Sequence, residues 1–281
     1  MKPYLKRAWA EISLSALEAN IRAISASLQG NTQIMAVVKA DAYGHGEAEI
    51  LQKLTQIGVR YFAVSNLDEA LHVRQYCPDS DVLILGYTPP EYADTLAQNN
   101  IIQGIVSAEY ACTLNARTRT PIRCHVKLDT GMGRIGITGD TPGDCADSIQ
   151  DMSFLRNLKI EGIYTHFAVA DMPDDPEQNA YTEAQKQFIR SVGTELMKRG
   201  VHLKHLHYLN SAGVLYHNDA NSTLARVGII MYGLAPNYPL PVPLDLKPVL
   251  SLKAVISHIK RVQPGTSISY GRTFRADHCM K

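Results

Sequence analysis

The chain has 281 residues, 45% apolar and 20% charged, a balance that supports a full buried core and argues against extended disorder. Lys and Arg number 28 against 27 Asp and Glu, and a net charge of +1 provides no global field to attract nucleic acid or anionic lipid. No apolar run approaches the roughly 18 residues of a membrane span, and MKPYLKRAWAEISLSAL lacks the apolar stretch of a signal peptide. The 5 cysteines (Cys77, Cys112, Cys124, Cys145, Cys279) are widely spaced without a C-x-x-C pair, which predicts neither disulfides nor structural zinc and points to the reducing cytoplasm.

In chain order, apolar runs alternate with helical stretches. SALEANIRAISASL over Ser15–Leu28 has helical spacing, with Ser15 placed to cap it. IMAVV (34–38) is followed by EAEILQKLTQIG, YFAVS by a helix from Asn66 to Tyr76, and DVLILGY by PEYADTLAQNN. IIQGIVS precedes AEYACTLNAR, and IRCHVKLDT precedes DCADSIQDM. KIEGIYTHFA leads into the long helix Glu177–Arg199, LKHLHYLNS into AGVLYH, and TLARVGIIMYG closes the series. Strands that are apolar throughout belong to parallel sheets buried on both faces. Consecutive βα units of this kind predict an α/β fold of the (β/α)8 barrel type. A doubly wound open sheet is the competitor, but no G-x-G-x-x-G follows any run.

Past Gly233 the texture changes. Residues 235–248 (APNYPLPVPLDLKP) hold 5 of the 14 prolines and read as a linker. VLSLKAVISHIKRV then alternates like an antiparallel strand, and QPGTSISYGRTF reads as a turn and a second strand. The expected organisation is a barrel over 1–234, with an N-terminal strand at 7–13 belonging to a second domain, and a β-rich start of that domain at 249–281.

Catalytic groups of such barrels project from the C-terminal ends of strands. Those ends carry Lys39, Lys127, His166, Asn210 with Ser211, and Arg226. Singly, each has an ordinary alternative: a solvated lysine, a satisfied core histidine, a loop arginine. Their convergence on one barrel mouth is what carries weight. Lys39, flanked by Val37, Val38 and Ala40, lies where burial would disfavour the ammonium form and leave an amine able to form a Schiff base. The DAYGHG after it supplies glycines for close backbone approach, or else is merely a strand-to-helix turn.

VVKADAYGHG, KLDTGMGRIG, THFA, LNSAG, ARVGIIMYG and SYGRTF together closely resemble the bacterial alanine racemases, barrel-type enzymes that use pyridoxal 5'-phosphate. The resemblance implies that Lys39 holds the cofactor aldehyde as a Schiff base. It places Tyr43, Ser211 and the backbone of Gly228 and Ile229 around the phosphate, with Asn210 beside them. Arg226 would face the pyridine nitrogen; an arginine does not surrender its proton, so the ring becomes a weaker electron sink, as suits an enzyme that only moves one proton. Racemisation needs acid/base groups on both faces of the substrate. Lys39 would serve one face, and Tyr270, from the partner subunit of a homodimer, the other. His166 would sit between Tyr270 and Arg226, whose positive charge favours the phenolate. Arg134 would donate to the cofactor's phenolic oxygen, beside Lys127, whose counterpart in the family is often carbamylated. The product would be D-alanine for peptidoglycan; alanine against serine stays open.

RADHCMK still resembles the family's approach to its next strand and the sequence then stops, so a truncated product with weak or absent racemase activity of its own is expected. Three rival readings compete with this one. A non-catalytic pyridoxal-phosphate carrier explains Lys39 but not SYGRTF. A two-domain barrel decarboxylase needs a catalytic cysteine, for which Cys279 lacks the context. A metal-dependent hydrolase using His202, His205 and His207 lacks matching ligands on the other strands.

Overall fold

Each of the eight apolar runs becomes a strand of one parallel sheet in a computed structural model, which describes residues 7–235 and 244–281. After a separate β1 (Ala8–Ile12) come β2 (Gln33–Val37), β3 (Tyr61–Val64), β4 (Asp81–Ile84), β5 (Ile101–Ile105) and β6 (Ile122–Lys127). They continue with β7 (Leu158–Tyr164), β8 (His205–His207) and β9 (Leu224–Val227). Their spatial order is β8-β7-β6-β5-β4-β3-β2-β9. The Thr223 N–H donates to Leu206 O at 2.8 Å and the Arg226 N–H to Leu209 O at 2.9 Å, so the two end strands join and the sheet closes into a barrel.

Local chemistry sets the helices on its outside. Leu14–Ser27 begins earlier than the apolar spacing suggests: Ser13, not Ser15, is the cap, because Ser13 is extended and its Oγ accepts the Ala16 N–H at 3.2 Å. Leu17, Ile21 and Ile24 then face the core. Asn66 caps Leu67–Tyr76, and Thr141 with Asp144 forms a capping box on Pro142–Ser153. Asp175 caps the long helix, whose first residue is Pro176, where a missing N–H costs nothing. Inside the barrel, Met35, Val37, Ala63, Leu83, Ile102 and Leu224 form one apolar cluster. Each large side chain so buried contributes about 1.5–3 kcal/mol.

The chain divides into two compact units, Ser13–Val249 and a smaller one built from the residues up to Ile12 with Leu250–Lys281. Most of the proline-rich stretch read as a linker, and the first six residues of the chain, lie outside the described residues. The stretch's last residues are tied to the barrel rather than free of it. Buried Asn20 donates through Nδ2 to Met231 O at 3.0 Å and Lys247 O at 2.8 Å, and its Oδ1 accepts the Lys247 N–H at 2.7 Å. The barrel unit therefore extends to Val249.

In the smaller unit β1 pairs antiparallel with β10 (Leu250–Ala254), Ala8 opposite Ala254 and Ile12 opposite Leu250. The strand expected over VLSLKAVISHIKRV is thus confined to its first part. A short hairpin of β11 (Ser267–Ile268) and β12 (Phe274–Arg275) comes next, with the turn Tyr270–Arg272 at its tip. Among the described residues no helix is long and apolar enough to cross a membrane.

Candidate active site

A cavity of about 560 Å³ opens at the C-terminal ends of the strands. Lys39, Tyr43, Lys127, Arg134 and His166 line it from β2, β6 and β7. Asn210, Ser211, Arg226, Gly228 and Ile229 line it from β8 and β9. All ten barrel residues singled out in the sequence therefore meet in one place.

Lys39 lies two residues beyond the end of β2 and is half-buried, its Nζ 5.9 Å from the centroid of the Tyr43 ring. The burial expected for this lysine is only partial. The chain leaves Lys39 in a left-handed turn: Ala40, Asp41, Ala42 and Tyr43 have φ of 53°, 53°, 52° and 56°. For residues with a Cβ this conformation costs about 1–2 kcal/mol each, and runs of it are rare. The turn is held by its own bonds, Ala42 N–H to Val38 O at 2.9 Å and Gly46 N–H to Asp41 O at 3.2 Å. The Asp41 carboxylate accepts the Glu47 N–H at 2.7 Å, and the Glu69 carboxylate accepts the Ala40 N–H at 2.7 Å. The sequence points to the glycines of DAYGHG; the strained residues are the ones between Lys39 and Gly44.

Lys127 is the enclosed lysine, with 2% of its surface exposed. Burial, reinforced by the positive charge of Arg226, pulls its amine down to about 8. Its Nζ donates to Leu128 O at 2.7 Å and lies 5.8 Å from the centroid of the Tyr164 ring. The loop beyond it folds on the Asp129 carboxylate, which accepts the Gly131 N–H at 3.1 Å and the Gly133 N–H at 2.9 Å. Gly136 is needed here: a Cβ would come within 2.6 Å of the Asp129 nitrogen. This loop carries Arg134, exposed, to the cavity.

Arg226 is buried, with no carboxylate partner among the described residues. It donates to His207 Nδ1 and His207 O, both at 3.0 Å, and to Thr165 O at 2.5 Å. Because a guanidinium only donates, His207 Nδ1 must accept, and the His207 proton sits on Nε2. Nε2 lies 3.0 Å from His125 Nδ1, so that nitrogen accepts in turn, and the His125 proton rests on a buried Nε2 with no partner among the described residues. Burial lowers Arg226 to about 10, still charged near neutrality, and lowers His125 to about 3. The Tyr164 ring stacks on His207 at 5.1 Å and its hydroxyl donates to Leu85 O at 3.0 Å. His166 is likewise lowered to about 3, first by burial and then by the charges of Arg226, Arg134, Lys127 and Lys39.

Sequence reasoning alone misses Thr165, Tyr164 and His125, and the role of His207 as an acceptor for Arg226. Tyr164 stands directly before Thr165 and His166 at the end of β7, which is a usable signal. The sequence reads His207 with His202 and His205 as packing or surface histidines, a metal site being the lesser alternative; His207 is fully buried behind Arg226, and no cluster of three metal-ligating residues occurs among the described residues.

At the same mouth the backbone forms a cradle. Asn210 caps the helix Ser211–Tyr216, its Oδ1 accepting the Gly213 N–H at 2.8 Å, and the Gly228 N–H donates to Ser211 Oγ at 3.1 Å. A Cβ on Gly228 would lie 2.9 Å from the Tyr43 hydroxyl and 3.8 Å from Ser211 Oγ. Two hydroxyls thus converge where only glycine leaves room, and burial raises the Tyr43 phenol so that it stays a donor. Tyr270 belongs to the smaller unit, on the hairpin tip, 97% exposed.

Residues 12–236 match the family described as alanine racemase, N-terminal domain. The chain belongs to the alanine racemase family. The alanine racemase of Clostridium tetani is 39% identical over 281 residues, 99% of this chain and 71% of that protein. An amino-acid racemase of Enterococcus faecalis is 37% identical over 268 residues, 95% of this chain but only 37% of that protein. The solved alanine racemase of Clostridium difficile 630 superposes with a TM-score of 0.85 at 33% identity, covering 99% of this chain and 72% of that one. The chain thus spans most of two of these racemases and little more than a third of the other, and the barrel with its lysine-bearing mouth is the part shared with the alanine racemase N-terminal domain.

Proposed function

We propose that the chain is the cofactor-binding part of an amino-acid racemase that interconverts L- and D-alanine with pyridoxal 5'-phosphate. In this reading the enzyme is a homodimer of the cytoplasm and supplies D-alanine for peptidoglycan. The supporting observation is the convergence of an amine, a buried guanidinium and a two-hydroxyl cradle on a cavity whose volume suits a cofactor with a small substrate.

The donor set fits such a group. Tyr43 and Ser211 would hold its phosphate where Gly228 leaves space, with Ile229 and Asn210 framing the loop. Arg226, fixed by His207 and Thr165, would offer a permanent donor to the ring nitrogen. Arg134 would meet the phenolic oxygen. Bound through Lys39, pyridoxal phosphate would supply the electron sink that acidifies the substrate's α-carbon.

The remaining steps belong to protein groups. Lys39 takes or returns the α-proton on one face, and Tyr270 of a partner subunit serves the other. His166, kept neutral by burial and by the surrounding positive charges, brings no like charge beside Lys39. Lys127, with an amine near 8, carries a neutral fraction at neutral pH that attacks carbon dioxide, releasing a proton and leaving a carbamate anion near Arg134.

The test is α-proton exchange of L-alanine in heavy water by the holo-protein. The reading expects exchange that is abolished in K39A and reduced about 10²- to 10⁴-fold in Y270F, the range of one acid/base group. Cofactor capture at Lys39 without any exchange would favour the non-catalytic carrier instead.

A further inference from the structure

One carboxylate outside the chemistry above holds two walls of the cavity together. Glu69 lies in the first turn of the helix Leu67–Tyr76, and its own N–H is fixed by the cap Asn66 at 3.0 Å. From there Oε1 accepts the Ala40 N–H at 2.7 Å. Oε2 accepts both the Ser65 N–H at 2.8 Å and the Ser65 hydroxyl at 2.7 Å. Ala40 is the first residue of the left-handed turn, directly after Lys39; Ser65 comes directly after β3 and lines the same cavity. The two oxygens therefore bracket the ends of neighbouring strands.

The bracket falls where the backbone most needs it. Four successive residues with a Cβ at positive φ do not hold that conformation by local preference, so the turn depends on partners outside it. Glu69 is suited to the task. Partial burial works to raise its carboxyl, but the N–H bonds from Ala40 and Ser65 prevail, and the group sits below the usual carboxylate range as an ionised acceptor.

We propose that Glu69 is a positioning residue that sets Lys39 for aldehyde capture by bracketing the Ala40 and Ser65 amides. The inference rests on the proposed role of Lys39, and the test separates the two. Hydrogen exchange of the segment 39–44 is monitored without cofactor, and Lys39 is then trapped with pyridoxal phosphate and borohydride and mapped by mass. In E69A both should change by roughly tenfold, exchange faster and trapping slower, the scale of a lost charge-assisted hydrogen bond. E69Q, which keeps the side-chain length and one acceptor oxygen, should fall between and decides the matter if E69A does not fold. D68A removes the neighbouring exposed carboxylate of the same helical turn and should behave as wild type, separating the bracket from a general effect on the helix. Unchanged exchange in E69A and E69Q, or Lys39 trapping at the wild-type rate, overturns the proposal. If wild-type Lys39 is itself never trapped, the functional reading falls and the inference about capture falls with it, whereas a defect confined to the variants counts for the bracket.

Discussion

The two sides of the barrel interior are built on different principles. Strands β2 to β5, joined by Leu224 at the start of β9, contribute Met35, Val37, Ala63, Leu83 and Ile102, which need only shape and volume to pack. Strands β6 to β9 contribute His125, Lys127, Tyr164, His207 and Arg226, where each donor requires a particular acceptor. The apolar side stabilises without specifying chemistry. The polar side specifies protonation states: one guanidinium dictates the tautomer of two histidines in series. Tyr164 joins the sides, its hydroxyl reaching Leu85 O across a spot where a Cβ on Gly104 would lie 2.6 Å away.

That contrast can be broken by mutation. L83A should have the largest effect on stability, a loss of about 2–5 kcal/mol in urea unfolding, while the folded fraction still captures cofactor at Lys39. H207L should cost less, about 1.5–3 kcal/mol for a charged donor left short of its acceptor, yet alter the absorbance of bound pyridoxal phosphate because Arg226 loses its orientation. If L83A changed the absorbance and H207L did not, the division of labour would be wrong.

Acid sharpens the comparison. His125 titrates near 3 in the fold and near 6.5 when unfolded, so the unfolded chain binds more protons between these values. Stability should therefore fall as pH drops below about 6.5 and continue falling toward 3, His166 adding to the same window. H125N places an amide oxygen where Nδ1 accepts and removes one titrating group. It should flatten the slope of unfolding free energy against pH by at most about 1.4 kcal/mol per unit. An unchanged slope would mean that His125 is not the neutral, buried acceptor described.

The same contrast explains what is legible in the sequence. The apolar runs mark all eight barrel strands, because burial on both faces leaves a continuous signal in one dimension. Residues at strand ends, such as Lys39, His166 and Arg226, stand out against those runs. The series Arg226, His207, His125 does not, because its partners lie on β9, β8 and β6 and meet only across the closed barrel. The left-handed turn is hidden for another reason: Ala40, Asp41 and Ala42 give no sign of positive φ, which is imposed by Glu69 and by the turn's own hydrogen bonds. Apolar spacing favours Ser15 over Ser13 because it locates a helix face but not the helix's first N–H.

Two lysines share this cavity, and they differ in the property that chemistry would use. Lys127 has the amine that burial brings to about 8, but it is enclosed and bonded to Leu128 O. Lys39 stands half-open at the mouth, in the cavity that Tyr43, Ser211 and Gly228 also line. Mass mapping of the holo-protein after borohydride reduction distinguishes them directly. The account predicts a single phosphopyridoxyl adduct on Lys39; an adduct on Lys127, or none on either lysine, would contradict it.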